Sequence, residues 1–404
     1  MIYLDHSATT PVNEEVFRKM KPYFSEKFGN ASSIHSYGLE AFEAVEETRK
    51  KVADFLGADP KEVLFTSGAT ESDNLAVFGV AEAQEKEGKK LSELHFITTS
   101  VEHPAIEEPF LKLKRKGAQV TFLPVQSNGI VDLKEVEKAI QDNTVFISMV
   151  YVNSEVGAKQ PIKEVGRLVK NVREIRKKKN NLLPLLFHTD AVQAANFFTC
   201  DVNELGVDLM SLSGHKVYGP KGVGALFVRR GVKLMPQQIG GHQENNLRSG
   251  TYNVPAIVGM GEALKIVKRD RAKNNVYLRS LQKKLIDGIL NKVPQAHLTT
   301  DVKNSSPAHV HFIFPGAEGE SVLMDLDLNG ICVSTGSACA SSSLKSSSTL
   351  AAMGVSKEIV HGAIRMTLGL DNTEEQIDKV LEILPKVVEK YRSMSPDDLF
   401  TSEK

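Results

Sequence analysis

Four short stretches set side chains with chemical capacity beside residues that turn the chain. Thr66-Ser67-Gly68-Ala69-Thr70-Glu71-Ser72 follows an apolar run and opens an amphipathic one. Small residues there allow close approach, and the amides and hydroxyls of a helix start face outward, which suits a phosphate. A helix cap on a tight strand-to-helix turn is the alternative. Phe187-His188-Thr189-Asp190-Ala191-Val192-Gln193 closes an apolar run with an acid, a candidate to hold a protonated ring nitrogen, or else a plain N-cap. Ser211-Leu212-Ser213-Gly214-His215-Lys216 ends a third run with a lysine beside a hydroxyl and an imidazole. Most lysines are simply solvated, but one among anion-binding groups in a pocket is an amine nucleophile. Val101-Glu102-His103-Pro104 puts an imidazole just before a helix, placed to stack on a ring and relay protons, or to cap.

A phosphate cradle, an acid and a lysine at strand ends of one sheet make up the parts of a pyridoxal-phosphate site. Arg365 interrupts the apolar pattern of Ala363-Ile364-Arg365-Met366-Thr367, so it needs a partner, either a substrate carboxylate or an ion pair within the protein. Cys339 lies in a serine-rich stretch, 335–348, whose small polar residues favour a mobile loop and an exposed, nucleophilic thiol. Cys332, between Ile331 and Val333, reads as a buried hydrophobe, and Cys200 as structural. The glycine-rich run from Gly219 to Gly224 precedes a strand, the wrong order for a dinucleotide site.

These groups need a scaffold, and the alternation of apolar runs with amphipathic stretches over the first 250 residues predicts an α/β fold with a mainly parallel sheet. Strands are expected at 63–66, 95–99, 119–124, 145–152, 185–189, 208–213 and 225–229, with helices at 40–56, 72–87, 104–116 and 162–178. Gly57 and Gly117 read as helix stops. Beyond Pro255 come a long charged helix to about 290, strands near 308–314, 331–334 and 363–368, and a closing helix from 373 to about 391. The expected division is a large domain over 16–254 and a small one from 1–15 plus 255–404. Fifty basic and fifty acidic residues among 404 leave no net charge to recruit nucleic acid or an anionic membrane. Neither a signal peptide nor a membrane span is visible, so the expected location is cytoplasmic. Three cysteines without a C-x-x-C pair argue against disulfides and a zinc site, and no metal is expected.

Along nearly the whole length, from Tyr3-Leu4-Asp5-His6-Ser7-Ala8-Thr9-Thr10-Pro11 to Ile364-Arg365-Met366-Thr367-Leu368-Gly369, the chain resembles the cysteine desulfurases of the NifS/IscS-like group. Ser213-Gly214-His215-Lys216 resembles their cofactor-lysine motif and Gly336-Ser337-Ala338-Cys339 their persulfide-cysteine motif. The resemblance implies a fold-type I pyridoxal-phosphate enzyme that is a homodimer, with L-cysteine as substrate and alanine as product. It implies that Lys216 carries the cofactor and removes the substrate Cα proton, and that Cys339 takes the sulfur. Asp190 would pair with the ring nitrogen, Gln193 with the phenolic oxygen, and His103 would stack on the ring. Ala69, Thr70, Ser213 and His215 would hold the phosphate, reached by Thr251 from the other subunit. Asn153 would sit near cofactor and substrate, and Arg365 would grip the substrate carboxylate. A sulfur acceptor, an iron–sulfur scaffold or a tRNA-thiolation protein, is the implied partner. Lys345 and Ser346 stand where the group often has an acid and a proline, and Ala31 where a proline is frequent. Two alternatives stay open: a selenocysteine lyase or aminotransferase of the same fold type, and a non-catalytic sulfur carrier or scaffold that kept the fold.

Overall fold

The computed structural model describes residues 1–335 and 347–394. Seven strands form one sheet in the order Val63–Thr66, Gly224–Val228, Leu209–Ser213, Leu186–Asp190, Thr144–Val150, His95–Thr99 and Gln119–Leu123. The last five are mutually parallel. Gly224–Val228 runs antiparallel to both neighbours, which returns Val63–Thr66 to the common direction. The carboxyl ends of these six strands therefore share one edge of the sheet, where ligands bind in open α/β folds. Thr144–Val150 and Leu209–Ser213 are buried at every residue, as central parallel strands covered on both faces should be.

Helices cover both faces. On one, Leu75, Phe78 and Phe110 pack over Phe96 and Phe146; on the other, Val45, Val52, Val165 and Val169 pack over Ile147, Phe187 and Met210. The helix Ser36–Leu56 ends at Gly57, whose φ of +64° is left-handed and where a Cβ would stand 2.5 Å from Asp201 Oδ2. The helix expected at 72–87 is Ala69–Lys86, so Ala69, Thr70 and Glu71 form its first turn.

A second apolar cluster gathers Leu278, Leu285, Phe312, Phe314, Ile364 and Leu384. It is built on an antiparallel sheet of Ala363–Thr367, His309–Ile313 and His297–Leu298, closed by the helix Glu374–Arg392 with a Thr373/Gln376 capping box. The 39-residue helix Val254–Lys292 serves both cores, with Val254 to Val267 on the large sheet and Leu278 to Ile289 in the second cluster. Ile2–Tyr3 pairs in parallel with Ile331–Cys332, a strand shorter than the expected 331–334. Its alternation buries Ile331 and turns Cys332 outward, so Cys332 is half-buried, its thiol 3.6 Å from Asp327 Oδ1, and not the buried hydrophobe expected. Residues 336–346 of the expected loop, with Cys339, lie outside the described residues. Ser347 and Ser348, assigned to that loop, instead cap and open the helix Ser348–Ala352, because the Ser347 hydroxyl accepts the Leu350 N–H at 3.0 Å.

One buried ion pair ties the loop before the long helix to the strand that precedes Ser67. Arg49 donates to both oxygens of Glu244 at 2.8 Å and to the Val63 carbonyl, while Glu244 also accepts the Phe65 N–H at 3.0 Å. Arg49→Ala leaves Glu244 buried and unpaired, and is expected to cost about 3–5 kcal/mol in urea unfolding. A loss under about 1 kcal/mol would mean that the pair is screened like a surface one.

Candidate functional site

A cleft of about 680 Å³ opens at the carboxyl edge of the large sheet. Nine of the residues singled out in the sequence line it: Ala69, Thr70, His103, Asp190, Gln193, Ser213, His215, Lys216 and Arg365. Most arrive on or just after a strand end, whereas Arg365 sits mid-strand in Ala363–Thr367 of the smaller sheet. Asp190 is the last residue of Leu186–Asp190, Ser213 the last of Leu209–Ser213, and Lys216 closes the 3-10 turn Gly214–Lys216 that follows. His103 caps the helix Pro104–Arg115, its Nδ1 accepting the Ala105 N–H at 3.1 Å, so capping and a ring that lines the cleft coexist in one side chain.

The electrostatics are those of a site built around a cation and an anion. Burial pushes the Asp190 carboxyl up, against a hydrogen bond from the Val192 N–H and the charges of His103 and Lys216. Asp73, 1% exposed, also lines the cleft, and neither of its oxygens has a hydrogen-bond partner among the described residues. Burial, reinforced by Asp190, holds its carboxyl well above the ordinary range. Glu102 is pushed up to about 8 by burial, although it accepts from Thr99 and the Val150 N–H. Burial lowers His103, and lowers His215 to about 4 with help from Lys216 and Lys221. Of the three acids, Asp190 ends its strand in the cleft lining with Lys216 and His103, where a protonated nitrogen would offset the burial of its carboxylate.

The anion end is equally specific. The helix Ala69–Lys86 starts at Gly68 with no side-chain cap, and a Cβ on Gly68 would meet nothing within 4 Å. The first-turn amides thus face open space, the condition for receiving a phosphate. Gly224 has the opposite role: a Cβ there would stand 2.7 Å from the Gly68 carbonyl carbon, so this glycine lets its strand pack against the cradle turn, while Lys221 and Gly222 of the same run line the cleft. Glu71 also lines the cleft, its carboxylate accepting from Arg248 at 2.8 Å and from the Ser67 N–H at 2.8 Å. A phosphorylated ring with a protonatable nitrogen fits these residues.

Several features were not visible in the sequence. Ser7, Ala8 and Thr9 form a wall of the cleft. The Lys216 ammonium donates to the Ser7 carbonyl and, at 2.7 Å, to that of Ala8, and His215 Nδ1 lies 3.1 Å from Thr9 Oγ1. Gln193 gives its amide to the Ser7 carbonyl at 2.9 Å. Arg365, read as either a carboxylate grip or half of an ion pair, lines the cleft and is paired with Asp5 at 2.7 Å. Two expected residues stand apart. Asn153 is buried behind the lining, its oxygen accepting from Glu155 and Val156 and its amide donating to the Val101 carbonyl and Thr349. Thr251 is exposed and outside the cleft of its own chain. Among the described residues no helix is long and apolar enough to cross a membrane, and no group of three or more metal-ligating side chains occurs.

The family model for class-V aminotransferases matches residues 2–380. Curated relatives include "Cysteine desulfurase IscS" of Methanosarcina thermophila, 46% identical over 98% of this chain and 94% of its own length. The protein of that name from Dictyoglomus turgidum is 44% identical over 98% and 96%. Among solved structures, one described as a NIFS-like protein superposes with a TM-score of 0.87 at 38% identity, covering 96% of this chain and 99% of its own. Another, SspA in complex with cysteine, does so with a TM-score of 0.78 at 33% identity, covering 91% and 99%.

Proposed function

The chain belongs to the class-V aminotransferases and is a cysteine desulfurase among them, and we propose that the sulfur of L-cysteine passes through a persulfide on Cys339 to an acceptor protein. The observation that carries the site assignment is the meeting of Lys216, Asp190, His103 and the Gly68-Ala69-Thr70 cradle in one cleft. Their fit supports pyridoxal phosphate as the cofactor. Ala69, Thr70, Ser213 and His215 would hold its phosphate, Asp190 its ring nitrogen and Gln193 its phenolic oxygen, while His103 would stand against the ring. When bound, it supplies an electron sink for negative charge at the substrate Cα.

The protein's own groups do the rest. Arg365 binds the substrate carboxylate. The Lys216 amine takes the Cα proton, and the carbonyls of Ser7 and Ala8 stand ready to receive the ammonium so formed. The Cys339 thiolate attacks the substrate sulfur, so an S–S bond forms as the Cβ–S bond breaks. The bonding pair stays on the carbon side, which is protonated and leaves as alanine. Asn153 contributes by holding Glu155 and Val156 in place beside the cleft.

A homodimer is part of this proposal. Thr251, exposed and away from its own cleft, suits a residue that serves a second copy, and Phe17, Phe24, Phe28, Tyr37 and Phe42 leave an apolar surface that a subunit would cover. The division into 16–254 and 1–15 plus 255–404 also belongs to it, supported by the two apolar clusters. For the acceptor, iron–sulfur assembly or tRNA thiolation is the proposed destination.

A single turnover of the yellow, cofactor-loaded protein on L-cysteine tests the reading, with alanine quantified and peptides mapped for persulfide. Alanine and a Cys339 persulfide in equal amounts are expected. Cofactor absorbance with alanine but no protein persulfide would favour a lyase instead.

A further inference from the structure

The cation assigned to the substrate is not waiting empty-handed. Arg365 is 6% exposed and points one N–H of its guanidinium at Asp5 Oδ1, 2.7 Å away, and another at the Ser154 carbonyl, 3.1 Å away. Its Nε has no hydrogen-bond partner among the described residues. Its backbone is clamped as well, exchanging N–H and carbonyl bonds with Ser334 at 2.7 and 3.0 Å. Arg365 lines the cleft, while Asp5 is not part of the lining and grips the guanidinium from behind.

Asp5 itself is fixed. It bridges Thr367 in parallel, and its carbonyl accepts the Tyr3 hydroxyl at 2.9 Å. The chain then runs on through Ser7, whose N–H donates to Thr367 Oγ1 and whose hydroxyl donates to the Ser154 carbonyl, both at 2.8 Å. The same segment presents the carbonyls of Ser7 and Ala8 to Lys216. The other acid near Arg365, Glu155, is engaged with Ser347 at 2.7 Å and lies 3.7 Å from His311.

We infer that Asp5 is a specificity-determining residue of the substrate site, a resident carboxylate with which the substrate carboxylate must share the Arg365 guanidinium. The inference rests on the reading that Arg365 binds that carboxylate. An anion that approaches an isolated guanidinium meets a full charge, whereas one that approaches the Asp5–Arg365 pair meets a dipole. Geometry and hydrogen bonds remain to orient the incoming carboxylate, but the Coulombic gain is cut. Asp5 therefore keeps affinity for amino acids low, so that the site binds by shape and by attachment to the cofactor more than by charge. It also means that substrate arrival pulls on the segment that holds Lys216.

The test is the holoenzyme with Asp5→Asn, which keeps a hydrogen-bond acceptor and removes the charge. KM for L-cysteine and the dissociation constant of the product L-alanine, measured by equilibrium dialysis, are both expected to fall roughly 10-fold, as removal of one partly screened like charge predicts. Asp5→Ser removes the same charge with a smaller side chain and must shift both in the same direction if Asp5→Asn does not accumulate as folded protein. A rise in either constant, or no change, overturns the inference, because a residue that only orients Arg365 would weaken binding when lost. Arg365→Ala separates the two levels. If it leaves alanine binding unchanged, the assignment of Arg365 itself fails. If it weakens binding while Asp5→Asn does not tighten it, only the role of Asp5 fails. In the double variant the effect of Asp5→Asn should vanish, and its persistence would place its action elsewhere.

Discussion

Lys216→Ala should reduce single-turnover formation of alanine from L-cysteine by about 10³-fold or more, the largest loss expected from any one residue of the cleft. Two amines line the cleft among the described residues: Lys216 closes the 3-10 turn that follows Leu209–Ser213, beside Asp190 and His103 in the lining, and Lys221 sits beyond that turn. The Ser7 and Ala8 carbonyls fix where its ammonium rests, so the proton it takes has a defined destination. Truncation leaves that place open to a small amine, and added methylamine should restore part of the rate. A second readout needs no turnover. Lys216 is among the causes that hold His215 low, after burial, so the alanine variant should titrate His215 at higher pH, by proton NMR. Undiminished turnover, or a loss that small amines never rescue in a folded variant, would remove Lys216 from the proton transfer.

The legibility of this site followed from which contacts were local. Lys216, Asp190 and His103 each sit within a few residues of a strand end, so an apolar run and the residue that stops it were enough to place them. The strand 95–99 came out at its observed bounds, as did the helix Ile162–Lys178. The wall formed by Ser7, Ala8 and Thr9 had no such signal, because its partners are some two hundred residues away and Ser7 and Ala8 meet Lys216 through backbone carbonyls that carry no side-chain signature, with only the Thr9 hydroxyl contributing a side chain. Asp73 was hidden for another reason: in a helix it reads as one more polar position, and only the packing against His188, 3.7 Å from its Oδ1, and against Asp190 reveals a buried acid in the cleft wall. The Arg365 pattern was informative in half: an arginine in an apolar strand announced the need for a partner, but sequence alone left a ligand and an ion pair open, and the structure supplies the ion pair while leaving the guanidinium on the cleft. Asn153 shows the converse. Its neighbourhood matched, yet its side-chain oxygen is spent on the turn it stabilises and its amide on Val101 and Thr349.

Cys339→Ser should abolish persulfide formation and slow alanine release by about 10³-fold or more, while Cys200→Ser and Cys332→Ser should leave both products in place. The case rests on what the other two thiols cannot do. Cys200 is 1% exposed, and burial pushes its thiol up to about 12, so no thiolate is present near neutral pH. Cys332 is raised by burial and by Asp327, with which its sulfur is in contact. An attacking sulfur must be ionised and must reach the cleft, and neither of these thiols meets both conditions. Cys339 is tethered within reach. It stands five positions after Ser334, which pairs with Arg365, so covalent geometry confines its Cα to roughly 17 Å of that point. On the other side, Ser347 is held by Glu155 at 2.7 Å beside the same cleft. That covalent bound is compatible with a thiol that meets a substrate held by Arg365, the first of the two tasks set for a thiol that takes up sulfur and then hands it on. A persulfide that appears on Cys332 in the Cys339→Ser protein, with alanine release intact, would show that the tether argument had selected the wrong sulfur.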